Sequence, residues 1–248
     1  ACGTGLSVHA CLVMIIQCTA FSLAQVLEYY INVLVVGNRF FGTTESILLV
    51  SFVYFLAGFL GSEKLRAPIP WNFPFSISVS ELVMEITNVG MLLTIYSLFM
   101  DGYRSGTRVP EAERGEKNLT TKDYLMRCIP SAVIAACSVR LLIFTPLVKS
   151  HPLLLYFFCG LTFSFLSTRI NISHLCRRYL DWRFAGMYNI VVLTMNSFLH
   201  LVDQDTLLIV CTVVLFVMYT WYVCTVITQI KRYLGIYALH LGSSQKSD

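Results

Sequence analysis

The run TLLIVCTVVLFVMYTWYVCTVITQI, Thr206 to Ile230, contains no Asp, Glu, Lys or Arg. A membrane helix needs about 20 mostly apolar residues, whereas a barrel strand needs only about ten. Hydrocarbon offers no partner to a bare N–H or C=O, so a run this long must bond its own backbone as a helix. Six further runs are mostly apolar: Leu6–Val26, Ser46–Gly61, Val79–Met100, Cys128–Val148, Pro152–Ile170 and Phe184–Val202. The composition agrees, with 56% hydrophobic and 13% charged residues, where soluble domains carry about 25% charge. The expected fold is all-α: a polytopic integral membrane bundle of about seven transmembrane helices, forming a single domain over residues 1–248.

Two longer connections separate the runs. Ser62–Ser78 holds Pro68, Pro70, Trp71 and Pro74, which break helix and suit an interface. Asp101–Arg127 is the most polar stretch and is expected to be a loop, with a short amphipathic helix at Thr121–Met126. Lys and Arg fall unevenly. One side collects Arg39, Arg104, Arg108, Arg114, Lys117, Lys122, Arg127, Arg169, Arg177, Arg178, Arg183, Lys231, Arg232 and Lys246, and the other only Lys64, Arg66 and Lys149. The positive-inside rule makes the rich side cytosolic, with the C-terminus inside and Ala1 outside. The sequons at Asn118 and Asn171 then face away from the glycosylating side and read as chance. No secretory signal is visible at Ala1, and the chain is expected to begin in mid-protein. Nine cysteines show no C-x-x-C pair and read as small hydrophobes rather than zinc ligands.

Charge and polarity inside the runs are few. Arg140 lies within the fourth run and Glu85 at similar depth in the third, so an ion pair between them is expected. Asn88, Asn189, Asn196 and His200 suit hydrogen bonds between helices. The cytosolic rim is richer. Leu27 to Ser46, LEYYINVLVVGNRFFGTTES, ends one run and opens the next, placing Glu28, Tyr29, Tyr30, Thr44 and Glu45 together. Arg169, Asn171 and His174 end the fifth run at the same rim. Carboxylates and aromatic faces suit a cationic head group, and arginines suit phosphates. The alternative is an aromatic belt with basic anchors, as any polytopic protein has. A Walker loop, G-x-S-x-G, H-E-x-x-H and an Asp-rich metal motif are all missing, and Asp203-x-Asp205 reads as a solvated turn.

Five segments, in order, resemble the choline/ethanolamine phosphotransferase branch of the CDP-alcohol phosphatidyltransferases. Leu27-Glu-Tyr-Tyr30 is similar to that family's W-E-x-Y, and Gly42-Thr-Thr-Glu-Ser46 to its G-P-T-E-G. His151-Pro152, and Arg169-Ile-Asn171 followed by His174-Leu175, are similar to its H-P and R/N…H-L. Ile227-Thr-Gln-Ile230 and Leu234-Gly-Ile-Tyr237 are similar to I-x-x-I…L-G-I-Y. Leu27 stands where the family has Trp, and Thr43 where it has Pro. The resemblance implies the C-terminal portion of an enzyme of about ten helices. Its activity would move phosphocholine or phosphoethanolamine from CDP-choline or CDP-ethanolamine to diacylglycerol, releasing CMP. Its metal motif, D-G-x2-A-R-x8-G-x3-D-x3-D, is not in the chain. Mg2+ or Mn2+ ligands and the catalytic base are therefore expected upstream, and the chain alone is expected to be inactive. The resemblance makes Glu28, Tyr30, Glu45, Asn171 and His174 substrate-binding residues. It also implies an endoplasmic reticulum or Golgi membrane, membrane lipid and a homodimer as partners, and no nucleic acid. A seven-helix receptor or transporter, or a non-catalytic membrane scaffold, are the competing readings.

Overall fold

A computed structural model describes residues 8–31, 48, 51–52, 55–56, 58–61, 78–108, 121–176 and 184–235. They form α1 (Val8–Ile31), α2 (Val79–Arg108), α3 (Thr121–Phe144), α4 (Leu147–Ser150), α5 (Pro152–Leu175), α6 (Ala185–Leu199) and α7 (Gln204–Leu234). Five helices, α1, α2, α3, α5 and α7, are long and apolar enough to cross a membrane, while α6 is apolar but shorter. The all-α expectation is met, and a multi-pass membrane protein accords with it. Seven spans are not established among the described residues. The run Ser46–Gly61 lies largely outside the described residues, and Phe184–Val202 yields a helix of only 15 residues before a turn.

The centre is α1, which packs against α2, α3 and α5. From Thr19 to Tyr29 every side chain is buried except exposed Phe21 and half-buried Glu28. Burial on all sides is what an apolar helix without a polar face calls for. Small residues Thr19, Ala20, Ser22 and Ala24 permit close approach, as membrane interfaces favour. Ser22 Oγ donates to Ser131 Oγ of α3 at 3.0 Å. Many other hydroxyls return to their own helix. Thr19, Thr87, Thr94, Thr162, Thr194 and Thr212 each donate to the carbonyl four residues back, so none asks for water.

Helix ends are fixed by local chemistry. Ser78 and Glu81 form a capping box at the start of α2, with Ser78 N–H donating to Glu81 Oε2 at 2.9 Å and Glu81 N–H to Ser78 Oγ at 3.2 Å. Asp203 caps α7 by accepting from Thr206 N–H, and Gly235 closes that helix at φ 64°. The α6–α7 turn hangs on Asn196. Its Nδ2 donates to Val202 O at 2.9 Å and Gln204 Oε1 at 3.0 Å, and its Oδ1 accepts from Val202 N–H at 3.0 Å.

Four further expectations change. Asp101–Arg127 is not a loop at its first end, where α2 continues through Arg108; the helix expected at Thr121–Met126 is present as the start of α3. His200 is no bundle histidine but the exposed, left-handed cap of α6 at φ 50°. Asn196 serves the turn, while buried Asn88 Oδ1 and Asn189 Nδ2 have no partner among the described residues. Arg140 does not pair with Glu85, which is exposed. Its guanidinium lies 4.5 Å from the ring centroid of Phe144 and 4.1 Å from that of Phe198. An unpaired cation within a span costs up to about 3 kcal/mol at its centre, and each ring face offsets about 1 kcal/mol of it.

Candidate functional site

α1, α2 and α5 all finish at the end of the bundle where α3 begins. Tyr124, one turn into α3, fixes this register. Its ring lies 5.5 Å from that of Tyr30 and 6.5 Å from that of Phe99. Its hydroxyl donates to Leu98 O at 3.1 Å. The ring is completely buried, and Gly102 of α2 sits against it with no room for a side chain.

Tyr29 is the centre of the site. Its ring meets His174 of α5 edge-on at 6.0 Å, and Arg127 of α3 sits with Cζ 4.4 Å from its centroid. Arg127 is only 5% exposed, so its contact with Tyr29 is made away from bulk water, where a cation–π pair is worth about 2 kcal/mol. A second aromatic cluster completes this end. Phe165 packs against Phe184, Tyr219 and Tyr222 at 5.4, 5.4 and 5.3 Å. Arg169 reaches the edge of that cluster, 5.8 Å from Phe184 and 6.0 Å from Tyr222. Two guanidiniums and an imidazole thus stand among seven aromatic rings contributed by α1, α3, α5, α7 and the residue that starts α6.

The residues expected from the sequence divide as follows. Glu28, Tyr30 and His174 lie half-buried at this end, and Asn171 lies on α5 one turn before His174 with its side chain exposed. Tyr30 and His174 do not meet each other: Tyr30 faces Tyr124, and it is Tyr29 that touches His174. Glu45 lies outside the described residues. Arg127 and Tyr124 were not expected, since Arg127 counted only as a rim anchor. The signal that finds them is the buried stripe of α3, Ser131, Cys128 and Tyr124, continued back beyond Cys128 at helical spacing.

Among the described residues no three His, Cys, Asp or Glu side chains converge to hold a metal ion. They do not offer a divalent cation a site. The eight described cysteines are free thiols. No protein-family model matches the chain, and no curated protein matches it.

Proposed function

We propose that the chain is the C-terminal membrane portion of a phospholipid-synthesising phosphotransferase of the choline/ethanolamine branch. It would sit in an endomembrane, endoplasmic reticulum or Golgi, with its C-terminus cytosolic. One observation carries the reading. Two segments that resemble the family, Leu27–Tyr30 and Arg169–Leu175, are far apart in sequence and meet at the Tyr29–His174 contact, with Arg127 against the same ring. An aromatic rim beside Glu28 suits the cationic head of a CDP-alcohol. Arginines suit its phosphates, through the planar fork that matches phosphate oxygens. On this reading Glu28, Tyr30, Glu45, Asn171 and His174 form one wall of the donor site. Mg2+ or Mn2+ would be held by aspartates outside these 248 residues and would clamp the pyrophosphate, while the residues of this chain would bind and orient the donor.

The test is turnover of labelled CDP-choline and CDP-ethanolamine with diacylglycerol, in microsomes expressing the chain together with the coding sequence before Ala1. The expected result is labelled phospholipid with one donor or both, and a loss of at least about tenfold on His174→Ala or Arg127→Gln. No turnover with either donor, or turnover indifferent to both substitutions, refutes the proposal. The chain alone is expected to be inactive, and metal-dependent CMP release from it would refute the assignment of the metal site to another segment.

A further inference from the structure

Arg140 stands at the opposite end of the bundle from Tyr29, and on its outside. The exposed stripe of α3 runs Ile129, Ala132, Ala136 and Ile143, and Arg140 occupies the stripe's remaining helical position between the last two. The exposed stripe of α6 runs Tyr188, Val192, Met195 and Phe198. The two stripes meet where the guanidinium rests 4.1 Å from the Phe198 ring centroid. Phe198 and Phe144, the two rings that carry it, are themselves 58% and 66% exposed.

Among the described residues none neutralises this cation. Its Nε is buried with no acceptor, and no carboxylate among the described residues pairs with it. Carboxylates at this end are otherwise engaged, Asp203 with Thr206, Asp205 with Ser150 at 2.8 Å and Glu81 with Ser78. A side chain on a helix leans toward the N-terminus, here toward mid-membrane. The Phe144 ring, four residues onward, leans back by the same rule and meets the guanidinium at 4.5 Å. Arg140 itself stands four residues before the end of α3, a rise of about 6 Å. A long cation this close to the end of a span is within reach of the head-group level, where such side chains snorkel.

We infer that Arg140, framed by Phe144 and Phe198, is a binding site for the phosphodiester of an anionic membrane phospholipid. The planar fork supplies two parallel N–H donors to phosphate oxygens. Exposed Ile143, Met195 and Leu199 supply the apolar wall that acyl chains require and a free phosphate lacks.

The experiment uses the whole chain in detergent micelles, titrated with phosphatidylglycerol or phosphatidylcholine, with bound lipid counted by native mass spectrometry. Phosphatidylglycerol should bind about tenfold tighter than phosphatidylcholine, one charge-assisted contact's worth. Arg140→Gln should erase that preference, Arg140→Lys should keep part of it, and Lys149→Gln, an exposed charge at the same end, should keep all of it. Equal preference in wild type and Arg140→Gln overturns the site. So does an equal loss in Lys149→Gln, or displacement of the lipid by millimolar inorganic phosphate. Should Arg140→Gln fail to fold, the wild-type preference and Arg140→Lys decide: absence of any preference in wild type overturns the inference outright.

Discussion

Replacing Gly102 with alanine puts a methyl group where Tyr124 already stands. A Cβ at that position would lie 2.1, 2.4 and 2.6 Å from Tyr124 Cζ, Cε1 and Cε2. Carbon atoms in contact prefer about 3.5–4 Å, so the overlap exceeds about 1 Å. The ring cannot easily give way. It is fully buried, with Tyr30 and Phe99 beside it and its hydroxyl on Leu98 O. Forcing it aside costs about 1–3 kcal/mol of strain and about 1 kcal/mol for the displaced hydrogen bond. Removing a helical glycine returns about 1 kcal/mol. Gly102→Ala should therefore destabilise by about 1–3 kcal/mol. The sign is what makes the reasoning testable. In a Tyr124→Ala background the obstacle is gone, and the same substitution should stabilise by up to about 1 kcal/mol. The pair should then show a coupling of about 2–4 kcal/mol in a double-mutant cycle. Unfolding by SDS titration in mixed micelles, followed by far-ultraviolet circular dichroism, measures all four proteins. Equal destabilisation by Gly102→Ala in both backgrounds would refute the claim that Tyr124 is what this glycine accommodates.

Asn196→Ala should cost about 2–3 kcal/mol in the same titration, because three side-chain hydrogen bonds closing the α6–α7 turn are lost together. His200→Gly next door should stabilise, by up to about 1 kcal/mol, since φ 50° strains any residue with a Cβ. Asp203 has its carboxyl held below the ordinary carboxylate range by the N–H of Thr206, and then by its hydroxyl. A depressed folded pKa makes its contribution complete above the unfolded value of about 3.9, and lost as pH falls through the lower folded value. The stability gap between wild type and Asp203→Ala should thus be constant from pH 6 to 8 and shrink only below about pH 4; a gap that varies near neutrality contradicts the cap. Tyr29→Phe should leave stability nearly unchanged because the ring stays beneath Arg127, whereas Tyr29→Leu should cost about 1–2 kcal/mol. Equal losses would mean that the hydroxyl, not the ring face, matters.

How far the fold could be read from the sequence depended on what each signal measures. Run length reports the hydrocarbon a helix must cross, and it located α1, α2, α3, α5 and α7. Composition reports only the surroundings of a backbone, which is why Asp101–Arg127 misled. Asp101, half-buried, and Arg104, exposed, lie on helix that runs on past the apolar residues of α2. Depth was legible for Arg140 and Glu85, but rotation was not: Arg140 sits on the face of α3 that meets α6, and α2 lies elsewhere. The site shows the same limit. Tyr30 and His174 were placed at the correct end, yet each residue along a helix turns the side chain by about 100°, and it is Tyr29 that faces α5. Arg127 was hidden by arithmetic. A tally of cations sorts residues by side of the membrane and cannot tell an anchor from a guanidinium enclosed on a tyrosine.

The brevity of α6 has a consequence for the surrounding lipid. Its 15 residues rise about 22 Å, against a hydrocarbon layer of about 30 Å, while the adjoining α7 with 31 residues rises about 46 Å. Neighbours in one bundle thus ask the bilayer for opposite thicknesses. Lipids beside α6 must pucker inward, and α7 must tilt or protrude. Shorter acyl chains would relax the mismatch at α6 and increase the tilt asked of α7, so no single bilayer thickness suits both neighbours.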